Sequence, residues 1–166
     1  MRKQILAPIA AGVLLALAGA AQAATKTASF TVSATVGKNC TISTANLALG
    51  EFVGDNNLTA QSDITVRCTN NTPFSIALDD GVTGTYAGRQ MVGPGGNFLV
   101  YNLYTDNTYA AVWGDDTGTT DVVGGNGTGM ANALTRTVYG RLLAADNVGP
   151  VDVGGYSDTI VATITY

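Results

Sequence analysis

Apolar and polar residues alternate with a period of two along most of this chain. The cleanest run sets Ala28, Phe30, Val32, Ala34 and Val36 against Thr27, Ser29, Thr31, Ser33 and Thr35. That pattern predicts a β-strand with five apolar side chains on one face and five hydroxyls on the other, broken by Gly37. Leu47 and Leu49 predict a shorter strand ending at Gly50. Ile64, Val66 and Cys68 predict another, and Phe74, Ile76 and Leu78 a fourth, stopped by the turn signal Asp79-Asp80-Gly81. After the breaker Gly93-Pro94-Gly95-Gly96, Phe98 to Tyr104 reads as a strand with Leu99, Tyr101 and Leu103 on one face. Ala110 to Trp113 and Thr135 to Leu143 follow as strands. Residues 114–129 read as a loop whose flexible part is the glycine-rich stretch 124–129. Asn147 to Gly155 is turn-rich, and Ile160, Ala162, Ile164 and Tyr166 form a closing alternation. Beyond residue 23 no segment carries sustained helical periodicity. Seven or eight short strands at this spacing predict an all-β fold, a Greek-key β-sandwich.

The first residues follow another rule. Arg2 and Lys3 precede an apolar run from Ile5 to Ala21, closed by Ala21-Gln22-Ala23. Charged, apolar and small-x-small regions in that order predict a secretory signal peptide over residues 1–23. The run is short for a spanning helix of about 20 apolar residues and lacks a basic stop-transfer cluster, so the exported chain is not expected to be membrane-embedded. Removing 23 of the 166 residues leaves 143, enough for one domain. It also takes the net charge from −4 to −6 by deleting Arg2 and Lys3, which argues against nucleic acid as a partner.

Export changes the reading of the two cysteines. An even count in an oxidising compartment predicts a Cys40–Cys68 disulfide, the alternative being two buried free thiols. The first strand lies before Cys40, so such a bridge would leave it untied. It can then pair within its own domain or be given to a neighbour, a recognised mode of strand addition.

Little here suggests catalysis. No histidine is present, which removes the commonest general base and the commonest metal ligand. The serines and threonines have no histidine partner and no Gly-x-Ser-x-Gly elbow. Asp79 and Asp80 are adjacent and would point to opposite faces of a strand. Asp115, Asp116 and Asp121 lack calcium-loop spacing. Arg89, Met91, Tyr101, Asn102 and Trp113 read as sandwich core and its hydrogen bonds rather than as a ligand site. The Asn-x-Thr sequences at Asn39, Asn57, Asn70 and Asn126 are chance matches in a chain rich in both residues. Neither a cofactor, a metal nor an enzymatic activity is expected.

An ordered series of motifs adds to this reading: Asn39-Cys40-Thr41-Ile42, Cys68-Thr69, Pro73-Phe74 to Gly81, Arg89-Gln90-Met91, Tyr101-Asn102-Leu103-Tyr104-Thr105-Asp106, Val112-Trp113-Gly114-Asp115, Val138-Tyr139-Gly140-Arg141 and Gly155-Tyr156-Ser157-Asp158-Thr159. Together they resemble the spore coat protein U domain family, which includes subunits of archaic (Csu-type) chaperone–usher pili. The resemblance implies an incomplete immunoglobulin-like sandwich. A periplasmic chaperone would lend the missing strand, an outer-membrane usher would receive the subunit, and the next copy's N-terminal segment would replace the chaperone. On that reading residues 24–37 are the donor segment, with Ala28, Phe30, Val32, Ala34 and Val36 as its inserted face. Residues 38–166 are the sandwich, with Ile160, Ala162, Ile164 and Tyr166 as the groove-edge strand. The expected product is a surface homopolymer serving adhesion and biofilm formation. The alternatives are a coat or matrix protein of the same fold, a tip subunit, and a monomeric secreted binding module.

Overall fold

The computed structural model describes residues 22–166. The apolar run of the expected leader lies outside the described residues. Residues 22–35 and 36–166 are taken separately.

Residues 36–166 form a two-sheet sandwich. The larger sheet contains β1 (Cys40–Thr44), β2 (Leu58–Cys68), β9 (Leu134–Leu142), β5 (Phe98–Tyr104), β6 (Val112–Trp113) and β7 (Thr120–Asp121) in that spatial order, with β4 (Arg89–Val92) also paired to β5. The smaller sheet is β10 (Ala162–Thr165), β3 (Pro73–Leu78) and β8 (Val123–Asn126). Only β6 and β7 pair in parallel; every other ladder is antiparallel. The expectation of an all-β sandwich holds, and two short 3-10 turns at Pro94–Gly96 and Ala144–Asp146 are the only helical turns among the described residues.

The alternation becomes the core. Ile64, Val66 and Cys68 from β2 are buried against Phe74, Ile76 and Leu78 from β3. Leu99, Tyr101 and Leu103 from β5 and Val138 and Leu142 from β9 complete it, with Trp113 fully buried. Each such apolar side chain contributes about 1.5–3 kcal/mol relative to exposure. The Trp113 indole N–H donates to the Ile76 carbonyl at 2.8 Å, so its polar atom is satisfied. Cys40 and Cys68 are joined, and they sit opposite each other in the β1–β2 register.

Arg89 is the unusual core member, with no exposed surface. Its guanidinium donates twice to the Asp79 carbonyl (2.9 and 2.6 Å), once to the Trp113 carbonyl (2.7 Å) and once to Asn102 Oδ1 (2.6 Å). One buried cation therefore joins the end of β3 to β4, β5 and β6. Desolvation lowers its pKa from the ordinary arginine value.

Three expectations need correcting. Residues 114–129, read as a loop, contain β7 and β8, and in β8 Gly124 and Gly125 pair with Ser75 and Phe74 of β3. A Cβ on Gly125 would stand 2.9 Å from the Phe74 ring, so glycine there serves close packing. The strand expected around Leu47 and Leu49 is absent; residues 45–57 run as extended chain outside any sheet. Residues 27–36, the cleanest alternation, adopt no strand and are exposed. A strand requires a hydrogen-bonding partner, and pattern alone does not supply one.

Candidate functional site

The core is open along one side. A groove of about 1160 Å³ runs between the 44–54 segment and the 151–162 segment. Its floor includes Ile64, Leu78, Leu99, Leu103, Val138 and Leu142, all core residues from both sheets. One wall carries Leu47, Leu49 and Phe52; the other carries Tyr156, Ile160 and Ala162.

Each wall is seated by a local feature. Gly140 of β9 lacks the Cβ that would stand 2.8 Å from the Leu47 side chain, and this lets Leu47 and Leu49 lie over the sheet. Asn56 holds the far end of that wall, accepting from the Val53 N–H at 2.8 Å and donating to the Glu51 carbonyl at 3.1 Å. Asp158 anchors the opposite wall. Its Oδ1 accepts from the Val82 and Thr159 N–H groups (3.0 and 2.7 Å), and its Oδ2 accepts from the Tyr101 hydroxyl (2.8 Å). Burial, that hydrogen bond and the Asp158 charge together push the Tyr101 pKa well above the ordinary tyrosine value.

The expected groove-edge residues divide. Ile160 and Ala162 line the groove. Ile164 packs on the core. Tyr166 is half exposed and lies beyond β10. The strand begins at Ala162 because Asp79 takes over the backbone bonding just before it: the Asp79 N–H donates to the Val161 carbonyl (3.1 Å), and Asp79 Oδ1 accepts from the Val161 N–H (2.9 Å). β10 pairs with β3 on one side only, so its other edge carries unpaired backbone groups.

The expected donor residues lie outside any strand. Ala28, Phe30, Val32, Ala34 and Val36 are all exposed, Phe30 at 88%, Val32 at 82% and Val36 at 86%. Sequence reasoning missed the 44–54 wall, since Leu47 and Leu49 read as an ordinary strand. Their alternation was visible, but not that they lie over a glycine on a strand far along the chain. Among the described residues no cluster of three or more histidine, cysteine or carboxylate groups could hold a metal, and no helix is long and apolar enough to cross a membrane.

An all-β sandwich with an open apolar groove beside an unpaired edge strand is a pilin-like fold. The Spore Coat Protein U domain family matches residues 26–163, and this chain belongs to that family. "Protein U" of Myxococcus xanthus is 31% identical, over 99% of this chain and 98% of that protein. Among solved structures, a chain of the CsuC–CsuE chaperone–tip adhesion subunit pre-assembly complex from archaic chaperone-usher Csu pili of Acinetobacter baumannii has a similar fold. It superposes with a TM-score of 0.56 at 21% identity, over 80% of this chain and 40% of that one.

Proposed function

We propose that this chain is a structural subunit of a bacterial surface pilus, assembled through the chaperone–usher pathway by donor-strand exchange. The observation that carries the reading is the pairing of two incomplete features. The sandwich holds an open apolar groove, and residues 24–37 carry an alternating apolar face that is exposed. Exposed apolar surface of this size is an aggregation hazard unless something covers it. A periplasmic chaperone would cover the groove after export, an outer-membrane usher would receive the complex, and the segment 24–37 of another copy would then fill the groove. Donation from each copy to the next is a head-to-tail contact, which generates an open filament rather than a closed ring. The chain's role is then mechanical, serving adhesion and biofilm formation at the cell surface, with no cofactor and no catalysis.

Deleting residues 24–36 tests this. The truncated chain is expected to keep its disulfide and to bind a chaperone, yet to form no polymer. Phe30→Asp in the full chain is expected to abolish polymers as well, because it drives a charge into an apolar groove. Normal polymers from either variant would refute the reading.

A second reading, a coat or matrix protein built on the same fold, is favoured by the end-to-end match to Protein U. Immunogold labelling separates the two: filaments protruding from the cell support the pilus, and a continuous surface layer supports the coat.

A further inference from the structure

We infer that Lys26 and Lys38 set the register in which the donor segment enters a second copy of this chain, acting as charged stops at the two ends of its apolar face. The inference rests on the donor-strand reading above.

Parity is the first argument. In an extended strand alternate residues share a face, and 26, 28, 30, 32, 34, 36 and 38 are all of one parity. The face that carries Ala28, Phe30, Val32, Ala34 and Val36 is therefore bounded at each end by a lysine on that same face. The apolar part spans roughly 26 Å. Lys26 and Lys38 are both exposed, and they are the only lysines beyond residue 3.

Charge complementarity is the second. All twelve carboxylate residues lie between Glu51 and Asp158, so the stretch from residue 24 to 50 carries two positive charges and no negative one. The groove is the reverse. Its lining includes Glu51, Asp63, Asp152 and Asp158 and contains no lysine or arginine. Asp158 is held by Tyr101 and two backbone N–H groups, and Asp63 accepts from the Thr137 hydroxyl (2.8 Å). Glu51 on one wall and Asp152 on the other are exposed. Among the described residues no side-chain partner is recorded for the Glu51 carboxylate, and Asp152 accepts only from Asn97 Nδ2 (2.8 Å) among side chains.

The two arguments meet in the register. A slip of one residue turns the apolar row outward. A slip of two in either direction keeps the row inward but drags an ammonium onto the aliphatic floor, where a charge without a partner is strongly disfavoured. Only the register with both lysines outside the floor escapes both penalties. It leaves their flexible stems to reach carboxylates on the walls.

The test uses the full exported chain. Lys26→Glu, Lys38→Glu and the double variant are compared with wild type and with Lys→Arg controls, following polymer ladders in unheated detergent gels. Folding is monitored by the intact disulfide and the melting temperature. At low salt the double charge reversal is expected to slow polymer formation by about tenfold or more, and Glu51→Lys with Asp152→Lys is expected to restore most of that rate. Raising salt to about 0.5 M should slow wild type towards the variant. In wild-type polymers, a carbodiimide that joins amines to carboxylates should link Lys26 or Lys38 to Glu51 or Asp152 of the neighbouring copy. If Phe30→Asp abolishes polymers while the double reversal assembles at the wild-type rate with unchanged salt dependence, donor exchange stands and the register role falls. Cross-links found only at acids away from the groove, such as Asp115 or Asp121, would overturn it as well. Polymers from Phe30→Asp would instead remove the reading beneath it.

Discussion

Tyr101 and Asp158 show how a single hydrogen bond supports the groove. The hydroxyl of a core tyrosine reaches a carboxylate that also receives the Val82 and Thr159 N–H groups, so β5, the turn after β3 and the approach to β10 share one anchor. The tyrosine's folded-state pKa lies above its unfolded value of 10.0, because burial, the bond to Asp158 and the nearby negative charge all disfavour the phenolate. A raised pKa contributes stability that is fully present below the unfolded value and is lost as pH climbs above it. Urea denaturation is therefore expected to show stability falling progressively as pH rises above about 10, with Tyr101→Phe flattening that fall. An unchanged slope in the variant would assign the alkaline loss to other tyrosines.

At the level of strands, the period-two pattern placed the central elements well. Phe98–Tyr104 has the expected bounds and the expected buried face, and Ile64, Val66 and Cys68 point inward as their alternation requires. The failures share a cause. Gly124 and Gly125 carry a local loop signal, yet they are needed in β8: a Cβ on Gly125 would crowd Arg136 Nη2 and the Phe74 ring, and one on Gly124 the Phe74 carbonyl. Contact between residues fifty positions apart leaves no trace in local composition. Gly125→Val is expected to cost about 1–3 kcal/mol by overpacking against Phe74, read as a lower midpoint in urea. Gly129→Ala, whose Cβ would meet only Asn132 at an ordinary contact distance but at φ +105, separates backbone strain from crowding in the same experiment. Of the groove lining, Ile160 and Ala162 fall in the closing alternation, whereas the wall from residue 44 to 54 depends on Gly140 beneath Leu47.

Across the whole molecule, the disulfide closes the path from β1 to the end of β2, a separation of 28 residues. Replacing both cysteines with serine is expected to lower stability by about 3–4 kcal/mol on the chain-entropy account, measured as the shift in denaturation free energy against the oxidised parent. The bridge also decides where tension goes. Between Val36 and the bridge stand only Gly37, Lys38 and Asn39. A pull on the N-terminal segment thus arrives at Cys40 and crosses directly into Cys68, bypassing the five-residue ladder between β1 and β2. From there it loads the nine paired positions linking β2 to β9, in shear along the middle of the sheet. On the donor-strand reading the balancing pull would enter through the neighbour's segment in the groove, so each copy would carry its load between the groove walls and the bridge.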